Sequence, residues 1–165
     1  MKHLLKFTLL LMFAVSFASC EKDNSYQDPG LEVTPYNISG TWKLDSWNNG
    51  ASLAEGSYVY LELEYRDGYR FTIYQNLDSF GPRRITGDYA LYTDDALGTV
   101  IRGMYDYENG DWTSRYIISD LFSDRMTWTA TDNAENVSVY GRCDGIPQEI
   151  LDLYKDEIDA EKEDK

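Results

Sequence analysis

Trp47, Leu53, Phe80, Arg83, Arg84 and Trp112 are the side chains whose types and placement suit the capture of a small molecule. Flat apolar groups beside a few guanidiniums are what a pocket for an amphiphile with an anionic or polar head presents. The alternative is structural: the two indoles close one end of a fold and the arginines solubilise a loop. Carboxylates, 29 in all, are so plentiful that pairs such as Asp94-Asp95 or Glu62 and Glu64 carry little information. A glycosidase needs two of them across a cleft, one with its pKa raised by burial, whereas most of these stand in turns or alternate with apolar residues as solvated groups do. The stretch from Asp106 to Asp111 spaces oxygen ligands as a calcium ion could use them, yet it lacks the full loop signature of a dedicated site. Its Asn109-Gly110 is accounted for by hairpin chemistry, and no metal site is expected.

Histidine occurs once, as His3. Everything downstream therefore lacks an imidazole base, a Ser-His-Asp or Cys-His pair, and a zinc site of the usual His-containing types. A catalytic thiolate would need a nearby cation. Arg142 adjoins Cys143, but successive strand residues point to opposite faces, so Cys143 is expected as a buried, inert thiol on the inward side. These exclusions point away from an enzyme and from any cofactor. A net charge of −14 repels phosphate backbones, which makes nucleic acid an improbable partner.

What must position the candidate residues is sheet. From Ser39 onward apolar residues alternate at period two, interrupted by Gly, Asn and Asp, the pattern of an antiparallel meander. About eight strands are expected, a common number for an up-and-down barrel: Gly40 to Trp47, Tyr58 to Tyr65, Tyr69 to Asn76, Ile85 to Thr93, Thr99 to Tyr107, Trp112 to Ser119, Arg125 to Thr131 and Val137 to Cys143. Trp42, Tyr65, Tyr69, Phe71, Tyr89 and Trp128 fall on faces expected to point inward, large enough to fill such a barrel by themselves. Gly87, Gly103 and Gly141 argue for some interior space or strong bending. Tyr58, Tyr60, Tyr74 and Tyr140 fall outward, where they could stack on a sugar or a partner, or form cross-strand pairs that stabilise the sheet. Alternating strands put the longest connections, Asn48 to Ser57 and Leu77 to Arg83, at one end and tight turns at Asp67-Gly68 and Asp94 to Leu97 at the other. The loop-rich end is the expected mouth. After Gly145 the period changes: Pro147, Glu149 and a stripe of Ile150, Leu151, Tyr154 and Ile158 predict an amphipathic helix, with fraying expected beyond Asp159. The domain then occupies residues 39–146 and the helix with its tail residues 147–165.

A meander that opens on Gly40-Thr41-Trp42 and ends with Arg142 before a terminal helix resembles the lipocalin and wider calycin superfamily. The resemblance implies an all-β fold, an eight-stranded antiparallel up-and-down barrel with a C-terminal helix, whose Trp42 closes one end and whose Arg142 packs across the indole. It makes Gly40, Trp42 and Arg142 structural residues.

The first residues carry a second resemblance. A basic start (Lys2, His3, Lys6), an apolar run from Leu4 to Ala18 and small residues before a break have the form of a secretory signal. Its ending, Phe17-Ala18-Ser19-Cys20, resembles the lipobox of bacterial lipoproteins. This implies that residues 1–19 are removed, that Cys20 becomes the acylated first residue, and that residues 20–38 form a tether from lipid to domain. With Cys20 acylated, Cys143 has no disulfide partner. The apolar run is shorter than the roughly 20 residues that span a bilayer. Acidic residues after Cys20 resemble the signal that carries lipoproteins to the outer face of the outer membrane, and the chain looks like small lipocalin-like lipoproteins of Gram-negative bacteria. The function expected is a non-enzymatic membrane-anchored protein taking a small apolar or amphipathic ligand at its loop-rich rim. The alternative is a surface module with a solidly packed barrel that binds a glycan or a protein partner.

Overall fold

The computed structural model describes residues 29–77, 81–107 and 110–163; the expected signal over residues 1–19, Cys20, Phe80 and Asn109 lie outside them. A short helix α1 (Pro35–Ile38) precedes nine strands: β1 (Gly40–Trp47), β2 (Ala51–Ser52), β3 (Val59–Glu64), β4 (Arg70–Gln75), β5 (Arg83–Asp94), β6 (Gly98–Tyr105), β7 (Tyr116–Ser119), β8 (Arg125–Ala130) and β9 (Asn133–Cys143). Apart from β2 these strands pair in chain order, every pairing is antiparallel, and β1 also pairs with β9. The sheet is thus an eight-stranded closed barrel with one extra strand. Closure leaves the eight barrel strands without an edge, each with a partner on both sides; β2 pairs only with β1.

β2 is an addition to the expected set. Asn48, Asn49 and Gly50 all hold positive φ, the conformation Asn and Gly tolerate best, and they turn the chain back so that Ala51 and Ser52 pair with Trp47 and Ser46. The strand expected over Trp112 to Ser119 is instead broken. Trp112 N donates to Gly103 O at 2.9 Å and Tyr105 N to Gly110 O at 2.8 Å, so residues 110–112 fold back on β6, and regular pairing resumes only in β7.

The lower half of the barrel is solid. Ile38, Trp42, Leu61, Leu63, Phe71, Ile101 and Met126 are almost fully removed from water and join Tyr89 and Trp128 in one core. The N-terminal segment seals that end. Leu31 N donates to Leu121 O at 2.7 Å, Thr34 caps α1 by accepting from Asn37 N, and Trp42 Nε1 donates to Ile38 O at 2.8 Å. Arg142 lies with its Cζ 4.0 Å from the centre of the Trp42 ring.

Two inferences about faces are corrected. Trp42 pairs with Arg142, Leu44 with Tyr140 and Thr41 with Cys143, so Tyr140 and Arg142 face inward with Trp42 while Cys143 faces out. The inward register is the one that lets the guanidinium reach the closed end. Cys143 sits in a second apolar cluster on the outer wall, where burial pushes its thiol up. Tyr60 and Tyr74 do face outward, but they pair across β3 and β4 and lie buried beneath Ile150 and Tyr154. Such a pair contributes about 0.2–1 kcal/mol.

That cover is α2 (Gln148–Leu151), a 3₁₀ turn (Asp152–Tyr154) and α3 (Lys155–Glu163). The helix does not stop at Asp159 as expected. Arg84, on the outer face of β5, donates from Nη1 and Nη2 to the two Glu161 oxygens at 2.6 and 2.7 Å, a bidentate pair that ties the last turn to the barrel.

Candidate functional site

Above the packed half, the barrel interior opens into a cavity of about 170 Å³. One wall is aliphatic, formed by Val59 and Leu61 of β3 and Ile73 of β4. The facing wall is aromatic: Tyr105, Trp112, Tyr116, Trp128 and Tyr140. Trp128 lies 5.1 Å from Tyr140, 5.6 Å from Tyr116 and 5.8 Å from Trp112 between ring centres. Thr113 and Ser138 complete the lining, which carries no formal charge. Because Thr113 is exposed and Trp128 is buried, the space runs from the surface toward the core.

The period-two alternation explains how the sequence builds this. Val59 and Leu61, Met126 and Trp128, and Ser138 and Tyr140 are pairs two apart on one strand and so share the inner face. Trp112 arrives differently, from the segment that folds back on β6. Its indole lies against Gly103, where a Cβ would come within 2.1–2.5 Å of the ring atoms, and its Nε1 is buried without an acceptor among the described residues. Gly87 seats the Phe71 ring in the same way. Gly87 and Gly103 thus admit rings that fill the barrel, whereas Gly141 faces outward, where a Cβ would stand 2.6 Å from Asp45 Oδ2.

Burial pushes the Tyr105, Tyr116 and Tyr140 phenols above their ordinary range; for Tyr116 the nearby Asp132 adds to the effect. All three are neutral at ordinary pH. The site can therefore offer ring faces, apolar area and uncharged hydroxyls, but no acid, base or nucleophile of unusual reactivity.

Of the residues singled out from sequence, Trp112 lines the cavity. Arg83 stands at the mouth, paired with Gln75 in the inward register of Ile85, and its charge acts on the Tyr105 phenol. Trp47, 36 % exposed, and half-buried Leu53 belong to the β1–β2 hairpin and the loop after it; neither lines the cavity. Arg84 is a correction: its register puts it on the outer wall beneath α3, committed to Glu161. Arg84→Gln is expected to cost about 1 kcal/mol and to speed amide exchange across Lys155–Glu163, while leaving affinity for any cavity ligand unchanged. A loss of affinity in a titration would return Arg84 to the site. The other nine lining residues were not among the candidates; of these Tyr105, Tyr116 and Tyr140 were missed because a tyrosine on a strand reads equally well as an outer-face residue. Asp106, from the stretch considered for calcium, is engaged by Arg70 and Thr86, and Arg70 holds its carboxyl below the usual range.

Comparisons with models of protein families, with curated proteins and with solved structures found no match.

Proposed function

We propose that the chain is a lipocalin-like lipoprotein that binds one small, ring-sized apolar or amphipathic molecule inside the upper half of its barrel. The observation that carries this reading is the charge-free, aromatic-walled cavity. A dry apolar cavity of about 150 Å³ is enough to take up benzene, so about 170 Å³ suits a single ring or a short branched group and excludes a long acyl chain. The second feature supporting it is the unequal pair of ends: one sealed by α1 and Trp42, the other left to loops.

Anchoring follows from Cys20 and the residues before it. Acylation there would hold the protein at the outer membrane of a Gram-negative bacterium, at the cell surface. The described chain enters the barrel at the sealed end, opposite the cavity mouth. The surface-module alternative has little support from those tyrosines, since Tyr60 and Tyr74 are buried under the terminal helix, Tyr58 packs partly buried against the same cluster and Tyr140 lines the cavity.

Native mass spectrometry of the protein purified from its host's membrane tests both parts. The expected result is an acylated Cys20 at the amino terminus and a retained small molecule released on unfolding. A long-chain lipid in the barrel, or an empty barrel with a co-purified protein or glycan, would overturn the ligand reading; an unacylated terminus would overturn the anchoring.

A further inference from the structure

We propose that the ligand is a small organic cation, a methylated or quaternary ammonium of about the size of choline, held against the ring faces of the cavity. This rests on the preceding reading that the cavity is a ligand site, and adds to it the sign of the ligand's charge.

Three observations lead to it. First, an anion entering the cavity meets no counter-charge in the lining, whereas a cation meets five aromatic rings. Ring faces attract cations through their quadrupole, and the attraction grows when water is excluded. Second, the mouth is acidic. Glu55, Asp132 and Glu135 stand exposed on the loops and strand ends of that end, with Arg83 and Arg115; Asp132 accepts from Ser114 and Glu135 from Asn49. Arg83 lies near enough to Tyr105, and Asp132 to Tyr116, for each charge to act on that phenol, so the acidic side of the mouth is the Tyr116 side. Third, the whole chain carries −14, and a cleft with low-dielectric walls focuses such a field and raises the local concentration of cations. An ammonium bearing methyl groups also gains from the aliphatic wall of Val59, Leu61 and Ile73, which a bare metal ion would not.

The test compares probes of one shape and different charge on the full chain in a non-ionic detergent, read by the emission of the cavity tryptophans. Choline and 3,3-dimethyl-1-butanol share size and hydroxyl and differ in the central charge. Choline is expected to bind at least about tenfold more tightly, with affinity falling as salt is added. The pair Asp132→Asn and Glu135→Gln, both on the surface, should weaken choline a few-fold and leave the neutral alcohol unchanged. Equal or tighter binding of the alcohol overturns the cationic ligand and leaves a small-molecule site standing. Failure of both probes, at concentrations where any apolar cavity of this size would fill, overturns the ligand site itself.

Discussion

Arg142→Met is expected to lower the melting temperature by roughly 10 °C, the largest loss from any single polar contact in the barrel. Its Nε donates to Ser123 O at 2.8 Å, Nη1 to Ser39 O at 2.7 Å and Nη2 to Asn37 O at 2.8 Å. One side chain thus binds the β7–β8 connection, the end of α1 and the start of β1, while its flat face covers Trp42. Hydrogen bonds from a charged donor contribute about 1.5–3 kcal/mol each, and the desolvation that lowers the Arg142 pKa offsets part of the sum. About 3 kcal/mol is left, or roughly 10 °C at 2–4 °C per kcal/mol for a chain of this size. Methionine keeps the apolar stem and loses all three donors. Lysine at the same position should recover less than half of the loss, since a single ammonium cannot reach three carbonyls in a planar fork. Thermal unfolding followed by tryptophan emission measures both. A melting point within about 2 °C of the parent would mean that Trp42 and Ile38 seal the barrel without the arginine. Gly40 belongs to the same device: its φ of +120° suits glycine, and a Cβ there would stand 2.6 Å from Arg142 Nη1.

This closed end was the most legible part of the chain, through the resemblance that Gly40, Trp42 and Arg142 carry. The structure brings the three together where the first and last strands pair. Strand order and turns were legible too, because period-two alternation and Asp67-Gly68 or Asp94 to Leu97 act locally. What sequence did not reveal was which face of β9 looks inward. Val137, Val139, Gly141 and Cys143 are the more apolar set, and hydrophobicity alone assigns them to the core. The terminal helix reverses that inference near Cys143 by covering the outside of the barrel, so the outer face there is apolar as well. The same cover hid the role of Arg84, whose partner Glu161 stands far away in sequence. Tyr105, Tyr116 and Tyr140 were illegible as a cavity wall for a related reason: a phenol satisfies both a wet and a dry environment, so its type does not declare its face.

Gly103→Ala should disturb the cavity more than any change to the residues that line it on the aliphatic side. An added Cβ would stand 2.1, 2.4 and 2.5 Å from Trp112 Cε2, Cζ2 and Nε1, atoms of one rigid ring that cannot yield separately. Either β6 shifts or the indole leaves. β6 is held across its length by β5, whereas Trp112 is carried by a segment tied to β6 near Asp111 and released from regular pairing until β7. The indole should therefore swing out. It would lose its edge contact with Phe71 at 5.0 Å and its packing on Trp128 at 5.8 Å, at a cost of about 2–3 kcal/mol. Emission should shift to the red as one tryptophan enters water, and affinity for a cavity ligand should fall about tenfold with one wall gone. A double-mutant cycle separates the cause from general damage. With Trp112→Leu already in place, Gly103→Ala should cost little further stability, because the clash then falls on a shorter, flexible side chain. Full additivity of the two changes would show that the alanine acts on the strand instead, and that Gly103 does not exist to seat the ring.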